Sequence, residues 1–160
     1  MGKNDVLAGL ASGLAGAIAI FLYLTISLPL FFHTPPYLLY TWDASNALGY
    51  AAASQASAAT VILVGQGMHL IVSLVWGFAF VLVARGIPEM VRRPIPWGIV
   101  FGLIVMIVMR FGVVPLGHAP HITFTLAGLL NNVVAHTLFF GVPVALAAAR
   151  IMRAAARSSL

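Results

Sequence analysis

His69, Arg110 and His136 are the three side chains of this 160-residue sequence that could do chemistry from inside long apolar runs. Ionisable groups in such runs are costly in lipid and commonly face a bundle interior, so each is a functional candidate. Their spacing from the nearest basic cluster can be converted to height. His69 stands sixteen residues before Arg85, roughly 24 Å at the helical rise. His136 stands fourteen before Arg150, roughly 21 Å, and Arg110 seventeen after Arg93, roughly 25 Å. Three helices thus carry an ionisable group to a similar layer. Gln66 lies three residues from His69 and Asn132 four from His136, spacings that share a helix face. Gln66, His69, Arg110, Asn132 and His136, with Asn131 adjacent, therefore form the candidate polar site.

Three chemistries fit these residue types. His69 and His136 could be the axial ligands of a b-type haem, with Arg110 on a propionate and Gly65, Gly67 and Gly141 admitting the macrocycle. Imidazoles that titrate near neutrality could instead relay protons or ions. The same groups could also line a pocket for a small ligand or a quinone. Against these stands a purely structural role, in which the amides and imidazoles hydrogen-bond between helices and Arg110 extends its guanidinium to the interface. A second histidine group, His33, His118 and His121, sits beside prolines. Three imidazoles could hold zinc or copper; the alternative is that they are turn residues.

Catalysis has little to work with. Asp5, Asp43 and Glu89 are the only acidic residues and cysteine is absent, which removes paired carboxylates, thiolates and disulfides. No serine lies in a nucleophile-elbow sequence, and no glycine-rich phosphate loop is present. The expectation is a protein that is not an enzyme.

The elements that must position the candidate residues follow from composition. Hydrophobic residues make up 62% and charged ones 7%, against about 25% charged in soluble domains; the mean hydropathy is +1.07. A membrane helix needs about 20 mostly apolar residues. Four stretches answer to that, at 7–32, 57–84, 96–110 and 124–149, the third being cut by Arg110 and soon followed by Pro115. The fold class expected is all-α, one integral membrane four-helix bundle over 1–160. Lys3, Arg85, Arg92, Arg93, Arg150, Arg153 and Arg157 fall on one side of these spans and only Arg110 on the other. By the positive-inside rule both termini are cytoplasmic. The net charge of +5 is spread between apolar segments rather than gathered in a patch, so nucleic acid is not an expected partner. A cleaved signal peptide is the competing reading of the N-terminus, but its apolar region would be only about 7–15 residues, and the first span is read as retained.

Residues 33–56 form the longest connection, an outer loop. Its Tyr37, Tyr40, Trp42 and Tyr50 suit an aromatic belt at the headgroups, and Asp43 or Ser45 could cap a short surface helix. Internal similarity suggests two tandem hairpins related by a parallel pseudo-repeat. Gly9 and Gly13 match Gly98 and Gly102, two turns contain Pro, Leu and His, and His69, Gly77 and Arg85 match His136, Gly141 and Arg150. The small-residue pairs are expected to pack the first and third helices, within the chain or against a copy.

Gly67-Met68-His69, Trp76-Gly77, Trp97-Gly98-x-x-x-Gly102, Pro115-Leu116-Gly117 and the stretch from Asn132 to His136 with Gly141 together resemble the small four-helix bacterial inner-membrane proteins of the YagU-like group. The likeness covers roughly residues 65–150. It implies a four-helix membrane bundle and supplies no activity or site residues. The leading functional expectation is a non-enzymatic membrane component, an accessory subunit of a larger complex or a homo-oligomer, with the lipid bilayer as its solvent. Haem or metal binding, and a small transporter or channel gated by the His/Arg layer, are the alternatives.

Overall fold

Each long helix starts where the sequence supplies a cap. In the computed structural model, which describes residues 2–116, 118 and 125–158, α1 (Lys3–Phe32) begins with the Gly2 amide donating to Asp5 Oδ2 at 2.9 Å. It ends at His33, whose φ of 50° turns the backbone left-handed. α4 (Ala58–Gly86) is capped by Ser57, whose hydroxyl oxygen accepts from the Thr60 amide at 3.2 Å. α6 (Pro94–Leu116) opens on a proline in its first turn, and α7 (Leu126–Arg157) on Thr125, whose hydroxyl accepts from the Gly128 amide at 3.1 Å. Such caps satisfy amides that no helical carbonyl can reach. The shortest of the four, α6, has 23 residues and a length of about 35 Å, more than the ~30 Å hydrocarbon core of a bilayer. All four are long and apolar enough to cross a membrane, and no strand occurs among the described residues.

Several boundaries differ from the sequence expectation. The third long helix does not stop at Arg110. It passes through it in a wide, π-type turn over Met109–Val113 and runs on to Leu116. The fourth runs past 149 to carry Arg150, Arg153 and Arg157 on the helix itself. Its expected first residue, Phe124, lies outside the described residues. A second π-type stretch, Ala135–Gly141, contains His136.

Residues 33–56 are largely helical: α2 (Tyr37–Leu48) and α3 (Tyr50–Gln55), separated by Gly49 at φ 83°. Asp43 and Ser45 are therefore interior residues of α2 and not caps; the break falls at Gly49, where a left-handed backbone costs least. α2 packs along α4, its Tyr40 backbone lying directly over Gly65.

The glycine pairs make two close seams, neither of which joins the first and third helices as expected. Gly9 and Gly13 lie against α4, where Gly77 meets the Gly13 backbone, and a β-carbon at Gly13 would sit 2.7 Å from Leu74 Cα. Gly98 and Gly102 lie against α7, where a β-carbon at Gly102 would sit 2.8 Å from Thr137 Cα and one at Gly141 2.8 Å from Gly102 Cα. The first long helix thus packs on the second, and the third on the fourth. α7 also lies along α1, with Val144 and Phe140 over Gly16.

The shared core centres on fully buried Phe80, Val144, Ala145 and Ala148, with Phe80 edge-on to Phe101 at 5.0 Å. The N-terminal end of α1 meets the C-terminal end of α4 through Asp5 and Arg85 at 3.7 Å. Arg153 of α7 donates to the carbonyls of Val91 and Arg92, the latter at 3.1 Å, both in α5 (Pro88–Arg92). The start of α1 and the last turns of α7 therefore lie at the same end of the bundle as Arg85 and α5. Away from the seams the long helices turn leucine, isoleucine and valine outward, Leu22, Leu63, Ile71 and Ile104 among them.

Candidate functional site

At the end of the bundle away from the basic cluster, α2 brings a carboxyl to His69. Asp43 Oδ2 lies 3.8 Å from His69 Nδ1, while His69 Nε2 is 3.1 Å from the Ala17 carbonyl oxygen of α1. A carbonyl only accepts, so Nε2 carries a hydrogen, and in the neutral ring Nδ1, on the Asp43 side, is the bare nitrogen. Phe21 sits beside the ring at 6.2 Å between centroids.

His136 is fixed in the opposite sense. Its Nδ1 is 3.0 Å from the Asn132 carbonyl oxygen, so the hydrogen is on Nδ1 and Nε2 is the bare nitrogen. Both imidazoles line one cavity of about 210 Å³, together with Asp43, Asn46 and Ser73. The remaining walls are apolar, with Phe21, Trp76 and Phe140 as the aromatic surfaces. The Asp43 side chain lines this space and keeps 42% accessibility. It is nonetheless enclosed by neighbouring elements, and that desolvation pushes its pKa up from 3.8 to about 7.

A second cavity, of about 500 Å³, shares Leu24 and Leu39 with the first. Thr34, Thr41, Tyr50, Thr125, Asn131 and Asn132 supply its polar groups. Asn131 is oriented by the Tyr23 hydroxyl, which donates to its Oδ1 at 2.7 Å, and Tyr23 is in turn stacked on Phe139 at 4.1 Å.

The expected polar layer is thus divided. His69 and His136 converge, while Asn132 meets His136 through its backbone carbonyl and lines the second cavity. Arg110 and Gln66 line neither space. Of the glycines expected to admit a haem, Gly65 is filled by the Tyr40 backbone and Gly141 by the α6 seam; only Gly67 faces open space. A space of about 210 Å³ is too small to enclose a haem macrocycle. These residues do not fit a haem.

Of the other histidine group, His33 ends α1 and His118 lies in a bend, while His121 falls outside the described residues. Among the described residues no group of three His, Cys, Asp or Glu side chains could hold a metal ion.

Sequence reasoning left Asp43 out of the polar site. Twenty-six positions separate it from His69, and no helical periodicity connects them. The available signal was its rarity, an acid among aromatic and alanine residues. A scan of the chain against protein-family models, a search of curated proteins and a search of solved structures each returned no match.

Proposed function

We propose that the chain is an integral membrane protein with both termini in the cytoplasm, and that it binds a small molecule in its Asp43–His69–His136 cavity as a carrier. The observation that carries this reading is the convergence of a carboxyl and two imidazoles from α2, α4 and α7 on one apolar-walled space. A few convergent polar groups in an otherwise apolar pocket is the pattern of small-molecule sites, and ionisable groups inside a membrane bundle mark ligand and ion paths. The basic residues at one end support the orientation, and the resemblance to the YagU-like bundles supports a bacterial inner membrane. The two glycine seams, α1 on α4 and α6 on α7, support an internal duplication. Assembly with a second copy or a larger complex would use the same outward apolar faces that lipid covers.

Trp76 lines the cavity and offers the test. With Trp42→Phe and Trp97→Phe, its emission reports occupancy during titration with amphiphilic alcohols, hydroquinones, carboxylic acids and amines. A saturable change with at least one class is expected, together with uptake of that compound by proteoliposomes. Absence of any saturable change in the folded protein would overturn the reading.

A further inference from the structure

The hydrogen positions on the two imidazoles specify the ligand's polarity. Ala17 takes the His69 Nε2 hydrogen and Asn132 takes the His136 Nδ1 hydrogen, so each ring has an acceptor left over. In the neutral ring the bare His69 Nδ1 lies 3.8 Å from Asp43, and an ionised Asp43 offers only acceptors as well. Two imine nitrogens and a carboxylate therefore dominate the polar lining, with Asn46 and Ser73 as the adaptable groups. Among the described residues no lysine or arginine lines the cavity. Phe21, Trp76 and Phe140 line the same cavity, and aromatic faces attract cations, the more so when desolvated. A hydrogen-bond donor bearing positive charge satisfies every one of these features; an anion satisfies none.

We propose that the cavity takes the protonated head of a hydrophobic amine, and that this cation competes with a proton for Asp43. The proposal rests on the small-molecule reading above and names its ligand class. The adjoining 500 Å³ space, walled by Leu28, Phe32 and Leu38, accommodates the apolar tail. The head donates its N–H groups to Asp43 and to the bare imidazole nitrogens, and the proton it displaces from Asp43 leaves to water.

The groups that bear on this exchange come from each surrounding element. α2 supplies Asp43 itself, α4 His69 and α7 His136, while the linings from α1 and α6 contain no titratable side chain. Protonation of either imidazole would oppose the cation as well. Burial holds the carboxyl half-protonated near pH 7, so ammonium affinity rises as pH increases to about 7 and levels above it.

A matched series of decylammonium, decanol and decanoate, read by Trp76 in the single-tryptophan protein, decides the question. Decylammonium should bind at least about tenfold more tightly than decanol near pH 8 and weaken by up to about tenfold for each pH unit below 7. In weakly buffered solution near pH 6.5 its binding should release a proton that decanol binding does not. Asp43→Asn should bring decylammonium down to the affinity of decanol while decanol itself is unaffected; should that variant not fold, the proton release from the unsubstituted protein stands as the test. Decanol or decanoate binding as well as the ammonium would overturn the cation assignment and leave the small-molecule site standing. No saturable response to any of the three, with none to the wider panel, would overturn both.

Discussion

Asp43 gives the candidate site its charge, and what decides its behaviour is where α2 places it. A carboxyl on an exposed loop titrates near its ordinary value; enclosed between α2, α4 and α1 it is held neutral until about pH 7. The consequence for stability has a definite sign. Folding raises this pKa, so the unfolded chain loses the proton first, above about pH 4, and the folded state is penalised increasingly until its own carboxyl ionises. The detergent-solubilised protein should therefore melt at a lower temperature at pH 8 than at pH 5. Asp43→Asn should reduce that difference, measured by thermal unfolding at the two pH values; an unchanged difference would show that the carboxyl is solvated in the folded state. Accessibility into the cavity moderates the size of the effect, not its direction.

Helices α6 and α7 each depart from regular α geometry, with wide turns at Met109–Val113 and Ala135–Gly141. Such π-type turns are frequent at functional sites, and the second holds His136 in the cavity wall with its ring bonded back to Asn132. The same stretch supplies Gly141 to the seam with α6, so close approach and imidazole placement are produced by one segment. In a bilayer, where no hydrophobic force acts between helices, this backbone contact would be a main source of association. Gly102→Leu and Gly13→Leu should each destabilise the bundle by about 1–3 kcal/mol through overpacking, read by unfolding in a mixed-detergent titration. Gly67→Ala is the contrasting case. Nothing lies within 4 Å of a β-carbon there, so that variant should be neutral, or more stable by up to about 1 kcal/mol from helix propensity. Equal losses at all three positions would show that the seams are not where the packing energy resides.

For the whole molecule, chemistry tests the proposed orientation directly. The sequence has no cysteine, so single cysteines can be introduced without background. Ala154→Cys, beside Arg153 at the basic end, should be shielded from a membrane-impermeant maleimide in intact cells, whereas Tyr37→Cys at the exposed start of α2 should react; the reverse pattern would invert the bundle.

Four apolar runs of spanning length, their all-helical nature and the gathering of basic residues at one end were legible in the sequence, because each depends on local composition alone. His69 and His136 were legible too, as polar residues at the same height in separate runs. What height could not give was azimuth. Arg110 and Gln66 share the layer but line neither cavity, and Gly65 and Gly141 are filled by backbone. Nor could sequence order reveal that α2 folds onto α4, which is what carries Asp43 to His69. Which glycine seam meets which helix, and which carbonyl fixes each imidazole, were likewise settled in three dimensions. Composition and periodicity specify which residues must avoid water, whereas a site requires side chains distant in the chain to meet, and only the packing of helices against one another determines that.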